Sequence, residues 1–231
     1  KSRMILLDPW AAADGIIDNG HQPNYAFRLS LRDTWAIDRL LDRGRERGLS
    51  KIGMLLPNTA WGRSSLAAAD RNVTRHPDRK LVATAWYNWG DKSLAEQYAS
   101  IRSAGAEVIL LVANELEGAL LVREIAARPI AERLPVLSHW GVTGGDIHRL
   151  SDGRINEVDF EVVQSYSFKD ASSPTALKVA GEAMRVFDVP TPERIPSAAG
   201  LAHAYDLTYL LALAIDRAGT TARPAVRDAL E

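Results

Sequence analysis

The segment from Lys51 to Trp140 contains four apolar runs, and each ends in aromatic, amide or imidazole side chains. The runs with their ends are KIGMLLPNTAWG at 51–62, LVATAWYNWGD at 81–91, VILLVANE at 108–115 and PVLSHWG at 135–141. Apolar strands that alternate with helical patterns predict an α/β fold with a parallel, doubly wound sheet and helices on both faces. Ligands of such sheets bind beyond the carboxyl ends of the strands. The predicted ligand site therefore coincides with the Trp, Asn and His residues of this chain.

Three more strands and eight helices complete the predicted order of elements. Strands are predicted at 4–7, 25–29 and 160–166, and helices at 33–47, 61–75, 93–103, 115–127, 144–150, 174–187, 198–218 and 222–231. The helix at 198–218 is apolar on most faces, which predicts that it is well buried.

Composition excludes several classes of function. The 231 residues suffice for one large or two small domains, and 46% of them are apolar. The 28 basic and 29 acidic residues balance to a net charge of −1, so neither nucleic-acid binding nor electrostatic membrane anchoring is indicated. No segment is predicted to insert into a membrane. The absence of cysteine excludes disulfides and thiolate chemistry.

Motifs for enzyme chemistry are also missing. No Gly-x-Gly-x-x-Gly follows a strand, and neither a P-loop nor Gly-x-Ser-x-Gly occurs. The five histidines lack metal-ligand spacing. Asp8 ends a strand but precedes Pro9, which favours a loop aspartate over a catalytic one. The sequence therefore predicts no catalytic residue, no metal and no cofactor.

Four short motifs share an order and spacing with a known family. They are NYAFR at 24–28, AWGRS at 60–64, GD at 90–91 followed by IRSAGAEVI at 101–109, and AYD at 204–206. On these motifs the chain resembles the type I periplasmic solute-binding proteins. It is most similar to the branched-chain amino acid (leucine/isoleucine/valine-type) binding family of ABC transporters.

The resemblance implies two Rossmann-like lobes that are joined by a hinge and close on a small molecule. Residues 51–166 would form lobe two, and residues 1–50 and 167–231 would be a part of lobe one. Sequence is then expected to be missing before Lys1 and after Glu231. The implied function is an extracytoplasmic or periplasmic receptor that delivers a solute to an ABC transporter permease.

The resemblance also carries binding positions over to this chain. Trp61 takes the place of the aromatic residue in the aromatic-Gly turn, and Asn114 follows the strand of the Ala-Gly passage. Trp140 stands where the family has the acidic partner of an ammonium group. Trp10 and Ala11 replace hydroxyl residues that usually hold a carboxylate. These two departures argue against a free α-amino acid as the ligand.

Three indoles near one cleft suggest the chemistry of the ligand. Trp10, Trp61 and Trp140 can stack on a planar molecule, or cage an alkylammonium through cation–π contacts. Asn114 and His139 would orient the ligand. Tyr166 and Tyr205, near the expected hinge, are further candidates for contact with it, and we predict Tyr205 to be a ligand-binding residue. We favour a planar or aromatic acid, while Glu115 keeps an amine possible.

Structural roles compete with each of these assignments. Trp61 can pack on a neighbouring strand, Asn114 can cap the next helix and His139 can be a structural hydrogen-bonding residue. Tyr87 and Trp89 are candidates for the rim of the cleft. Two other functions also stay open: a ligand-sensing domain of a membrane signalling receptor, and an enzyme with a doubly wound fold. Flanking sequence separates transport from sensing, and turnover of a bound ligand would indicate an enzyme.

Overall fold

The structure is a computed structural model that describes residues 3–231. Its strands are β1 (Leu6–Asp8), β2 (Ala26–Arg28), β3 (Lys51–Pro57), β4 (Lys80–Tyr87), β5 (Val108–Leu111), β6 (Val136–Ser138) and β7 (Phe160–Val162). Its α-helices are α1 (Asp33–Glu46), α2 (Ala60–Arg75), α3 (Ala95–Ser103), α4 (Glu115–Ala126), α5 (Ile147–Leu150), α6 (Pro174–Phe187), α7 (Ala198–Ala218) and α8 (Arg223–Leu230). The elements follow the predicted order, although β7 is shorter than the predicted strand.

Strands β3 to β7 form one parallel sheet in the order β4-β3-β5-β6-β7. Side chains alternate along β3, so Met54 and Leu56 pack under α1 and α2 while Leu55 packs under α3 and α4. The predicted doubly wound sheet, with helices on both faces, is confirmed. The strand order reverses at β3, which places the expected ligand crevice at the carboxyl ends of β3 and β5.

The predicted boundary at residue 50 would place α1 in lobe one. In the structure, α1 instead packs on the five-stranded sheet. Its apolar stripe, with Ile37, Leu40 and Leu41, is buried against strands β3, β5 and β6. Arg43 Nε also lies 2.6 Å from Glu161 Oε2 on β7. We therefore use the name large lobe for residues 33–162 and small lobe for residues 3–32 and 163–231.

The small lobe has much less sheet. Strands β1 and β2 form a two-stranded parallel sheet, and α7 packs beside α8. The prediction that α7 is well buried is wrong: Tyr209, Leu210 and Leu213 are 57%, 43% and 62% exposed. Two short strands offer too little apolar surface to cover a helix of 21 residues.

Helix α7 also bears on the predicted absence of membrane spans. Its most apolar 18-residue window has a mean hydropathy of 1.3, so by length and composition it qualifies as a candidate span. Core helices of water-soluble proteins meet the same criterion, and one such helix is weak evidence for a membrane protein.

Candidate ligand site

A cavity of about 240 Å³ lies between the lobes, beyond the carboxyl ends of β3, β5 and β6. Its lining consists of Trp10, Ala11, Ala12, Ala13, Trp61, Trp89, Asn114, His139, Trp140 and Gly141. Six of the seven residues that the sequence nominated, all except Tyr205, are in this set. The cavity thus lies where the topology of the sheet places a ligand.

The loop after β1 supplies one wall of the cavity. Asp8 Oδ1 accepts hydrogen bonds from the backbone N–H groups of Trp10 at 2.9 Å and Ala11 at 2.8 Å. Ser30 Oγ donates to the carbonyl oxygen of Ala11 at 2.7 Å. Asp8 therefore shapes the loop that presents Trp10 and Ala11, in agreement with its interpretation as a loop aspartate.

Trp10 connects this wall to α7. A Cβ atom on Gly200 would lie 2.6 Å from Cε3 of Trp10, so the indole packs directly on the helix backbone. Close by, the N–H of Ser197 donates to the carbonyl oxygen of Thr143 at 2.8 Å. Ser197 Oγ also donates to the carbonyl oxygen of Gly144 at 3.1 Å. The small lobe therefore touches the large lobe beside the cavity.

Three aromatic rings in contact with one another form the opposite wall. His139 stacks on Trp140 with ring centroids 3.7 Å apart and a tilt of 28°, and it meets Trp61 edge-on at 4.9 Å. Trp140 is only 3% exposed and His139 only 1%. A Cβ on Gly141 would come within 2.3 Å of the Ala113 carbonyl oxygen and 2.7 Å of Trp61 Cη2. The close approach of β6 to β5 that packs these rings thus depends on glycine at position 141.

Asn114 and His139 are the polar side chains of the lining that the sequence proposed for orienting a ligand. Asn114 is the N-cap residue of α4, but its side chain makes no capping hydrogen bond, so the alternative role as a side-chain cap is wrong. His139 Nδ1 accepts a hydrogen bond from the N–H of Gly141 at 3.3 Å. The imidazole therefore has a structural contact as well as a place in the cavity wall.

Tyr87 and Trp89, the two candidates for the rim of the cleft, lie in different environments. Tyr87 is completely buried, and its hydroxyl donates to the carbonyl oxygen of Val112 at 3.0 Å, so it belongs to the core. Burial raises the pKa of this phenol. Trp89 lines the cavity and is 61% exposed, which fits a residue of the rim.

Tyr205 lies elsewhere and lines a second cavity of about 310 Å³ between α6, α7 and the segment after β7. There His203 Nε2 is 2.9 Å from Ser165 Oγ, and His203 Nδ1 is 2.9 Å from the carbonyl oxygen of Pro9. The structure does not bring Tyr205 together with the tryptophans, because its position on α7 faces α6. Tyr166, the other predicted hinge tyrosine, lines this second cavity too.

The cavity between the lobes has a neutral lining within residues 3–231, since none of the side chains there is a Lys, Arg, Asp or Glu. Burial lowers the pKa of His139 to about 3, which leaves its imidazole uncharged at neutral pH. Behind the wall, burial raises the pKa of Asp33 to about 6, a shift that the nearby Asp14 increases. The sequence pattern indicates no more for Asp33 than that it, or Thr34, can cap the helix that begins here. Among residues 3–231, no cluster of three His, Asp or Glu side chains has the geometry of a metal site.

Comparison with known families now identifies the class of this protein. The model of the periplasmic binding protein family matches residues 2–231, and the chain belongs to that family. The predicted resemblance and fold class are thereby confirmed. No curated protein matches the chain in sequence.

Solved structures share the fold at low sequence identity. A type 1 periplasmic binding protein from Bordetella pertussis Tohama I has a TM-score of 0.82 at 18% identity, over 98% of this chain and 63% of its own. The leucine-binding protein LivK from Thermotoga maritima MSB8 has a TM-score of 0.80 at 18% identity, over 99% and 61%. A solute-binding protein from R. palustris, in complex with 4-hydroxybenzoate, has a TM-score of 0.78 at 14% identity, over 99% and 59%. The chain thus spans about three fifths of the length of these structures.

Proposed function

We propose that the protein is an extracytoplasmic solute-binding receptor of an ABC transporter, which closes on a planar aromatic solute and presents the closed form to a permease. Membership of the periplasmic binding protein family supports the class of receptor. The observation that carries the choice of solute is the cavity between the lobes, which the described part of the chain lines with four indoles and no charged side chain.

Indole walls suit a flat ligand for two physical reasons. They bury a large apolar area, and offset or edge-on ring contacts add about 0.5–1.5 kcal/mol each beyond that burial. The volume of about 240 Å³ is below the ~300–1,000 Å³ of pockets for drug-sized ligands, which favours a solute with a single ring. The free amide of Asn114 offers a neutral donor for an acidic or hydroxyl substituent.

The walls of the cavity come from both lobes, which explains how a solute could favour closure of the two lobes. Trp10 belongs to the small lobe, whereas Trp61 and Trp140 belong to the large lobe. A solute that touches all three favours the closed arrangement, because the full set of contacts exists only there.

A free branched-chain amino acid fits this cavity poorly. Its ammonium group would find no carboxylate in the lining, where Trp140 replaces the expected acidic residue. Leucine binding by LivK and 4-hydroxybenzoate binding by the R. palustris protein are properties of those proteins. The tryptophan lining makes an aromatic acid the better candidate here.

Calorimetric titration of the full-length protein with 4-hydroxybenzoate, benzyltrimethylammonium and leucine tests the proposal. We expect the aromatic acid to bind most tightly and leucine most weakly. Trp61→Ala and Trp140→Ala should each weaken binding tenfold or more, equivalent to about 1.4 kcal/mol. Trp35→Ala is the matched control, because this indole is 60% exposed and lies outside the cavity.

Three results would contradict the proposal. Micromolar leucine binding would refute the solute class, and unchanged affinity in both cavity variants would show that the indoles are structural. Recovery of a chemically altered probe by mass spectrometry would indicate an enzyme rather than a receptor.

A further inference from the structure

Asp33 is a buried carboxylate behind the wall of the candidate site. It is the first residue of α1 and is 0% exposed. Its Oδ1 atom accepts hydrogen bonds from Trp61 Nε1 at 3.1 Å and from Ser65 Oγ at 3.3 Å. Its backbone N–H donates to the carbonyl oxygen of Ala12 at 2.9 Å. One residue thus contacts α2 and the loop of the small lobe.

After Trp61 and Ser65, His139 is a further side chain that lies close to the Asp33 carboxylate. Because its Nδ1 accepts from the N–H of Gly141, the proton of the neutral ring sits on Nε2. That atom is 3.6 Å from Asp33 Oδ1 and has no hydrogen-bond partner in the described part of the chain. The ring itself touches both Trp61 and Trp140. Rotation of Trp61 would therefore disturb the whole stack.

The energetics of Asp33 argue against a role in stability alone. Among residues 3–231, the Ser64 hydroxyl lies close to the Asp33 carboxylate, but no hydrogen bond of good geometry reaches Oδ2 and no Lys or Arg pairs with the carboxylate. A buried carboxylate without a cation is costly, and an apolar residue of similar size would usually be more favourable there. What the carboxylate provides is an oriented acceptor for the indole N–H.

We propose that Asp33 is a positioning residue of the solute site, which fixes the indole of Trp61 and, through it, the imidazole of His139 in their orientations toward the solute. The role rests on the proposed function, because Asp33 itself does not line the cavity. Its influence on binding is indirect and acts through the geometry of the wall.

The test uses two substitutions, of which only one keeps an acceptor for the indole N–H. Asp33→Asn keeps the size of the side chain and an oxygen acceptor for Trp61, whereas Asp33→Ala removes the acceptor. We expect Asp33→Ala to weaken 4-hydroxybenzoate binding at least tenfold and Asp33→Asn less than threefold. Ser65→Ala is the matched control, because it removes the other hydrogen bond to Oδ1 and leaves the indole bond intact.

A second readout is independent of any solute. The indole ¹⁵N–¹H resonance of Trp61, assigned with Trp61→Phe, should lose its protection from hydrogen exchange in Asp33→Ala and keep it in Asp33→Asn. If Asp33→Ala does not fold, as judged by circular dichroism, the same resonance is followed in the wild type between pH 4 and 8. It should then shift with the titration of Asp33 and be independent of pH in Asp33→Asn.

The outcomes are distinguishable. If the Trp61 indole N–H keeps its protection from exchange in Asp33→Ala, or if its wild-type chemical shift does not change with pH, the positioning role is overturned. Loss of this protection with unchanged affinity for 4-hydroxybenzoate would show that the contact is only structural, and it would also overturn the positioning role. A wild type that binds no probe would overturn the proposed function, and the resonance alone would then decide whether Asp33 holds Trp61.

Discussion

The two lobes differ in how completely they bury their apolar side chains. In the large lobe, helices cover both faces of a five-stranded sheet, and Ile109 and Leu111 are 0% exposed. In the small lobe, two strands carry the helices, so Leu6 of β1 and Leu213 of α7 are 51% and 62% exposed. The number of paired strands, more than the hydrophobicity of the helices, explains this difference.

The same contrast divides the candidate site. Trp61, His139 and Trp140 are part of the large lobe and are fixed by mutual ring contacts. Trp10 is held by the short Asp8 turn and by the backbone of α7 at Gly200. The cavity therefore combines a rigid wall with a wall whose position depends on the small lobe.

The largest expected effect comes from truncating one apolar side chain in each lobe. Ile109→Ala should lower the free energy of unfolding by about 2–5 kcal/mol, because it leaves a cavity in a close-packed core. Leu213→Ala should change it by no more than about 0.5 kcal/mol, since that side chain is mostly in water. Urea unfolding of both variants measures the difference.

Similar losses in both variants would refute the comparison between the lobes. Such a result would mean that α7 is covered in solution by a contact that the described residues do not provide.

The next effect concerns Asp33 and the pH dependence of stability. Its pKa is raised from 3.8 to about 6 in the folded protein, so the folded state binds the proton more tightly between these values. Its contribution to stability is fully present below pH 3.8 and is lost as the pH rises through 6. The shift is equivalent to roughly 3 kcal/mol, by linkage. Asp33→Asn should therefore gain about that much relative to the wild type between pH 4 and 7.

His139 acts in the opposite direction, because burial lowers its pKa from 6.5 to about 3. Its contribution is present above pH 6.5 and is lost as the pH falls toward 3. Between about pH 4 and 6, Asp33 and His139 change the stability of the wild type in opposite directions as the pH rises. Asp33→Asn retains His139, so the difference in the free energy of unfolding between this variant and the wild type reports on Asp33. Chemical unfolding of both proteins at several pH values provides the measurement, and a constant difference would contradict the raised pKa.

Much of the fold was predictable because it is encoded locally. Uniformly apolar strands and amphipathic helices identify the parallel sheet and the order of its elements. The location of α1 was not predictable in this way. Its apolar stripe fits any sheet, and only the three-dimensional packing of Ile37 and Leu40 shows that it covers the large one. The exposure of α7 was missed for a related reason, since an apolar helix does not reveal how many strands lie under it.

The site was predictable where it depends on strand ends. The topology of a parallel sheet brings residues such as Asn114 and Trp140 to one edge, so their neighbourhood follows from the sequence. The cavity that Tyr205 lines does not follow from the sequence, because its direction on α7 depends on the packing of α6. The role of Asp33 does not follow from the sequence, because a carboxylate at the start of a helix is normally explained as a helix cap. Only the three-dimensional structure, through the hydrogen bond from Trp61 Nε1, shows that Asp33 also contacts the wall of the site.

The smallest expected effect compares two helical glycines of the small lobe. Gly200→Ala would place a Cβ 2.6 Å from Trp10 Cε3, so the indole must shift at a cost of about 1–3 kcal/mol, typical of overpacking. Gly181→Ala on α6 meets no atom within 4 Å and should stabilise the protein by about 0.5–1 kcal/mol through helix propensity. Thermal unfolding of both variants gives the sign, and titration with 4-hydroxybenzoate should show weaker binding only for Gly200→Ala. If Gly200→Ala were instead as stabilising as Gly181→Ala, Trp10 would not pack on α7, and the movable wall of the cavity would have to be held by the Asp8 turn alone.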